Sequence, residues 1–360
     1  MKTHTSDRGL QLCLYCPNLC LSRCPASLVS GNITYSAWGK IASAWRVRKK
    51  QLPQDADSLA PAYWCLDCLA CREGCEHLRN VPADLAALRV EFAKRTTPPV
   101  PPGVPAYDME EAWKLLRTVA PAWRRVDECQ ALLVPGRELL TEDNADILEA
   151  IFKVFERIGD QVVGVNRDSV LECGHHPYAH AHMALARTEA QRAHSRFGRY
   201  ARVIMGSPHC ASFVRLKWPE ADLDRSKQCV TLLEFVGRGV DLAQPGFYKK
   251  KVACHDPCHL GRHLGLYGIS RDLLKWATNV KPVELPYNRE KSSCCGGGYP
   301  LSTVSPETAD GCAQMVMDQF DRVDADVLVT SCGSCRAQLR RAAGSDKKVL
   351  HLAEVLAHQA

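Results

Sequence analysis

A chain of 360 residues, 46% hydrophobic and 24% charged, is long enough to bury a sizeable core in two or three domains. Its net charge of +6, from 46 basic and 40 acidic residues, gives no nucleic-acid footprint, and it has no run of about eighteen apolar residues that would span a membrane. Nineteen cysteines follow a start without the basic and long apolar regions of a signal peptide, which points to a reducing, cytoplasmic compartment where clustered thiols bind metal more often than each other.

The first hundred residues hold two cysteine runs. Cys13, Cys16, Cys20 and Cys24, the last followed by Pro25, are answered by Cys65, Cys68, Cys71 and Cys75. The second run has the C-x2-C-x2-C-x3-C spacing of bacterial ferredoxins, in which three cysteines hold one cubane and the fourth crosses to the other. Two [4Fe-4S] clusters are therefore expected, one on Cys13, Cys16, Cys20 and Cys75, the other on Cys65, Cys68, Cys71 and Cys24. The first run departs by one extra residue, C-x2-C-x3-C, and Glu76 stands where proline is usual. A pair of four-thiolate zinc sites is the alternative, although zinc ribbons are built from C-x2-C pairs. Between the runs, Ser36 to Arg48 is an expected helix with Trp38, Ile41, Ala42 and Trp45 on one face. Its basic end, Arg46, Arg48, Lys49 and Lys50, reads most simply as a solvated terminus, with a docking patch as the sharper alternative. Residues 80 to 95 form another expected helix.

Five prolines in TPPVPPGVP, 97 to 105, predict a stiff linker. Beyond it, after an amphipathic helix starting at Met109, the chain reads as two copies of one strand-helix unit, 106–245 and 246–360. In the first, strand Ala131 to Pro135 precedes Gly136-Arg137. A helix of about 142 to 158 leads to Glu172-Cys173-Gly174, and a helix of about 178 to 196 and strand Tyr200 to Met205 lead to Ser207-x2-Cys210. In the second, strand Val252 to Cys254 leads to Cys258 and then Cys294-Cys295-Gly296. A helix of about 306 to 321 and strand Ala325 to Ser331 precede Cys332-x2-Cys335 and a helix from Arg336 to Ala343. Repetition of this kind predicts α/β units with short parallel sheets and ligand loops at strand ends, α+β overall once the helical first unit is counted.

Cys258, Cys294, Cys295, Cys332 and Cys335 exceed the four ligands of a tetrahedral zinc site, and adjacent cysteines are poor disulfide partners. A soft thiolate cage remains, of a kind that takes iron-sulfur clusters, Cu(I) or zinc. Glycines 296 to 298 are expected to let backbone amides approach cluster sulfurs. HDPCHL at 255 to 260, CCGGG at 294 to 298 and CGSC at 332 to 335 resemble the cysteine-rich CCG domain of heterodisulfide reductases, also found in iron-sulfur subunits of glycolate and lactate oxidases and of anaerobic glycerol-3-phosphate dehydrogenase. The resemblance implies a ferredoxin-like domain (1–96) ahead of CCG repeats, and a third cluster, of non-cubane [4Fe-4S] type in one form, on the five cysteines.

Arg137, Glu172 and Ser207 occupy the cysteine positions of the first copy, which is read as structural. The histidines of 175 to 182 beside it are read as packing, with a metal site including Cys173 as the alternative. Cys129, Cys229, Cys254 and Cys312 are read as small hydrophobes, with Cys254 also able to stand in for Cys258.

No nucleotide-, flavin- or acyl-transfer motif is present, so another protein must exchange electrons with this one. The expected role is an electron-transfer subunit between a flavoprotein dehydrogenase, or an electron-transferring flavoprotein, and quinone or another carrier. The chain would sit in the cytoplasm, on the inner membrane face where a partner anchors it. The alternative is a heterodisulfide reductase-like catalytic subunit, and a third is a zinc-stabilised binding module.

Overall fold

A computed structural model describes residues 5–94, 107–240, 245–344 and 348–358; the expected proline linker falls outside them. The first unit is helical. Helices Asp7–Leu14, Ala37–Arg48, Ala56–Tyr63 and Val81–Ala93 close around Leu10, Ile41, Leu59, Tyr63, Leu85, Leu88 and Phe92. Ser36 caps the second of these by accepting from the Gly39 amide. Gly39 is required there, since a Cβ would lie 2.4 Å from the Ile33 carbonyl oxygen. Ile41 and Ala42 are buried as expected, but Trp38 and Trp45 are only half-buried, and the buried surface runs instead through Ala37, Lys40, Ala44 and Val47. Small residues let this helix be enclosed on more than one side. At its basic end Arg48 pairs with Asp7 and Glu91, and Lys49 with Asp7, so that much of the charge is answered within the chain.

The rest is α/β. Strands β1 (Ala131–Val134), β2 (Val163–Gly164), β3 (Arg202–Met205) and β4 (Cys229–Thr231) form one parallel sheet in the order β2-β1-β3-β4. Strands β5 (Val252–His255), β6 (Val283–Glu284), β7 (Val327–Thr330) and β8 (Lys348–His351) form a second in the order β6-β5-β7-β8. The two halves thus repeat one topology. ALLV, VACH and VLVT are buried throughout, as strands covered on both faces must be. One apolar cluster, including Leu133, Ile151, Phe155, Val252, Val329 and Leu352, runs through both halves.

Two helix boundaries differ from expectation. The helix expected over 178 to 196 is two, His175–Ala179 and Met183–Phe197, separated where Ala181 adopts φ 67°. The last repeat helix begins at Gly333, not Arg336, with Cys332 at its N-cap. At Gly333 a Cβ would meet the end of the Leu139 side chain of the other repeat at 2.5 Å, so that side chain would have to turn aside. Cys332 and Cys335 therefore flank the first helical turn, matching Ser207 and Cys210 on helix Pro208–Leu216. The edge strands β2, β4, β6 and β8 carry too little apolar sequence to be anticipated.

Candidate metal centres

Eight cysteines of the first unit line two adjoining hollows. Cys13, Cys16, Cys20 and Cys75 line one with Trp38. Cys24, Cys65, Cys68 and Cys71 line the other with Lys40, Pro25 and Leu85, and Cys71 borders both. Cys13 comes from the end of a helix and Cys16 from the bend after it, Cys20 from a 3-10 turn, and Cys24 stands at the N-cap of the helix Pro25–Ser30. Burial pushes the Cys13 and Cys65 thiols up to about 11, so a metal would have to displace their protons to use them as thiolates.

Three buried cations act on the thiols of the second hollow: Lys40, which lines it, Arg89 on Cys65 and Arg262 on Cys68. Lys40, 3% exposed, places Nζ 3.5 Å from Cys24 Sγ. Arg89 and Arg262 are equally buried, and each leaves a guanidinium nitrogen without a hydrogen bond. None of the three forms a salt bridge among the described residues. A buried unpaired cation is strongly unfavourable. A cluster with four thiolate ligands is anionic and answers that charge, so the donor set and its surroundings fit an iron-sulfur cluster.

The third group lies at the ends of β5 and β7. Cys295 and Cys335 have their sulfurs 3.1 Å apart, Cys294 touches both Cys258 and Cys295, and Cys332 contacts Cys335. All five are buried. Of the three glycines, only Gly297 points its amide at a sulfur, Cys295 Sγ at 3.4 Å. Gly296 has φ 88° and would carry a Cβ 2.1 Å from the Ala309 carbonyl, whereas a Cβ on Gly298 would lie 2.3 Å from that of Leu66. Two of the three therefore serve close backbone approach, one of them between units. Cys332 and Cys335 also sit at a helix N-terminus, whose dipole favours anions.

Contacts join this group to the second hollow. Cys294 bonds Cys68, and that contact, ahead of Arg262 and Lys40, draws the Cys68 thiol down to about 6 against the effect of burial. Arg262 donates to the carbonyls of Cys68 at 2.5 Å and Ser292 at 2.6 Å. Cys312 is buried in the same apolar cluster as Cys24, Cys68, Cys258 and Cys294. Lys40 and Arg262 were missed in the sequence, where a lone basic residue gives no signal, while Cys312 is the buried small hydrophobe that the sequence suggested. Cys254 faces the shared apolar core with Leu260 and Leu273, and burial raises its thiol to about 12, which leaves it a packing residue.

The corresponding region of the first repeat is filled by protein groups. Arg137 and Glu172 stand 3.6 Å apart as an ion pair, Ser207 donates to Glu138, and the Cys173 and Cys210 sulfurs are 2.9 Å apart. This repeat also supplies the third group's outer wall. His209 faces Glu138 and Cys332, which raise its imidazole well above the ordinary value although burial opposes it. His176 and His180 pack on Tyr299.

Residues 252–340 match the model of the cysteine-rich domain, CCG. The chain is similar to a dihydromethanophenazine:CoB--CoM heterodisulfide reductase component of Methanosarcina barkeri, with 22% identity over 97% of this chain and 93% of that protein. It is similar to lactate utilization protein A of Oceanobacillus iheyensis, with 23% identity over 59% of this chain and 90% of the relative. An uncharacterised iron-sulfur protein of Methanococcus maripaludis is 32% identical over 25% of this chain and 17% of its own length. The resemblance read from HDPCHL, CCGGG and CGSC is borne out.

Proposed function

We propose that this chain, an iron-sulfur oxidoreductase subunit, relays single electrons through three clusters between a flavoprotein partner and a further carrier such as quinone. The observation that carries this reading is continuity: the first two thiol groups share a border at Cys71, and the second meets the third at Cys68 and Cys294. The hollows support the crossed ligand sets, Cys13, Cys16, Cys20 and Cys75 for one [4Fe-4S] cluster and Cys24, Cys65, Cys68 and Cys71 for the other. Cys258, Cys294, Cys295, Cys332 and Cys335 would hold the third. When bound, such clusters supply one-electron transfer at potentials set by charge, hydrogen bonds and solvent exposure. The protein's part is to fix the ligands, exclude water and balance charge through Lys40, Arg89 and Arg262.

Anaerobic reconstitution of the full chain should give about twelve iron atoms, four for each of three clusters. Cys295→Ala should lower this by about four and abolish transfer to the terminal acceptor. A wild-type value of about eight would mean that the third group holds no iron cluster.

A second reading, reduction of a disulfide at the third group, is favoured by similarity over 97% of the chain to a heterodisulfide reductase component. The filled first repeat speaks against it, since only one of the two CCG-like sites retains its thiols. Turnover of a small disulfide by the reconstituted chain alone would support this reading over the relay.

A further inference from the structure

A separate cluster of imidazoles lies where the three units meet, beside the Cys65–Cys68 loop and next to Cys258 in the chain. Asp67 follows Cys65 by two residues in a loop where it adopts φ 51°. His259 and His263 are four apart on a single π-helical turn, with their rings stacked at 4.3 Å. One ligand atom from each of Asp67, His259 and His263 falls within 4.8 Å of the others. His259, 2% exposed, receives or donates a hydrogen bond at Nδ1 with Ser212 Oγ, 2.7 Å away, while its Nε2 has no partner. His175 Nε2, also without a hydrogen bond, stands 3.8 Å from Asp67 Oδ2. These groups line a cavity of about 310 Å³.

Core histidines ordinarily satisfy both ring nitrogens, so the enclosed His259 nitrogen without a partner, beside a second imidazole and a carboxylate, calls for a ligand. Ser212 fixes His259 by one nitrogen and leaves the other free, the arrangement by which outer hydrogen bonds orient metal-binding imidazoles. Two imidazoles and a carboxylate suit a divalent transition ion, with zinc or ferrous iron the usual occupants. We propose that Asp67, His259 and His263 bind one divalent transition-metal ion of the zinc class. His263 would exchange its present hydrogen bond to the Asp67 carbonyl, 2.7 Å, for the metal. His175 would orient the carboxylate, and the remaining coordination position would open on the cavity. The site would tie the helical unit to the last repeat and uses no cysteine, although Asp67 lies between Cys65 and Cys68 and His259 follows Cys258.

The full chain, reconstituted with iron and sulfide, would be equilibrated with zinc and washed with a weak chelator. Zinc and iron would then be counted by mass spectrometry, and the zinc environment read by X-ray absorption, which the clusters do not obscure. The expected result is about one zinc per chain with a nitrogen and oxygen shell near about 2.0 Å. Asp67→Asn and His263→Gln should each lose the zinc, and His263→Gln, which lies outside the cysteine runs, should keep its iron. Absence of zinc in the wild-type chain, a sulfur shell near about 2.3 Å, or zinc retained by both variants would overturn the proposal. Iron content alone reports on the relay, so the two readings fail separately.

Discussion

A lysine ammonium enclosed by protein, with a cysteine sulfur as its neighbour, is the residue on which the electrostatics of the second hollow turns. Burial favours the neutral amine at Lys40, but Cys24, Cys65 and Cys71 together oppose this more strongly and hold its pKa above the ordinary value. An acceptor of negative charge is therefore built into the helix, on the side that Ile41 and Ala44 bury. Replacing it by an isosteric apolar group should leave four ligands intact and remove one positive charge from beside them. Lys40→Met should keep its full iron content and lower the midpoint potential of one cluster, because a reduced, more negative cluster loses a stabilising cation. A redox titration followed by electron paramagnetic resonance measures this, and an unchanged potential would place the cluster away from Cys24.

At the scale of the element, the two repeats share sheet order and helix placement but differ in what fills the strand ends. Cys173 and Cys210 pack with Tyr178, Phe213 and Trp218, and the Trp218 indole donates to the Cys173 carbonyl at 3.0 Å. Replacing both cysteines by Ala should leave iron unchanged and lower stability by about 1–3 kcal/mol, measured by denaturant unfolding. Loss of a stoichiometric metal with the fold retained would contradict it. Glu172 gives this element a pH dependence. Burial pushes its carboxyl up to about 7 even though Arg137 lies 3.6 Å away, so enclosure outweighs the pairing. A carboxyl raised from 4.5 binds its proton more tightly in the folded state. Its contribution is fully present below about 4.5 and is lost as the pH rises through about 7. Glu172→Gln should therefore match the wild type near pH 4 and exceed it by about 2–3 kcal/mol near pH 8. Equal stability at both pH values would show that the carboxylate is well solvated or well paired.

Across the whole molecule, the helical unit and the last repeat are held together by backbone contacts at the thiols themselves. Arg72 donates to the Arg262 carbonyl at 2.8 Å, Arg262 to that of Cys68, and the Leu301 amide to that of Cys65 at 3.1 Å. The second and third thiol groups consequently share a wall, while the first stands apart from the last repeat. Cys16→Ser should remove or alter one cluster signal and leave the other two. Cys68→Ser should change two, since the same side chain touches Cys294. Anaerobic spectra of the two variants, compared at equal protein concentration, test this; identical losses would contradict the shared wall.

Some of this architecture was present in the order of the residues. Cluster ligation demands one residue type at short fixed spacings, so the two quartets, the Cys294-Cys295 pair and the C-x2-C at 332 stand out in one dimension. The internal duplication was legible for a similar reason: buried parallel strands such as ALLV and VLVT are short apolar runs, and each is followed by a loop of distinctive composition. Charge balance leaves no such trace. Lys40, Arg89 and Arg262 lie far apart in the chain and act through space, so any basic residue at any distance could have filled their places. The break at Ala181, the pairing of Arg137 with Glu172 and the convergence of Asp67 with His259 and His263 were likewise decided by tertiary packing. Which of these groups meet depends on how the elements pack, and no short spacing in the sequence announces it.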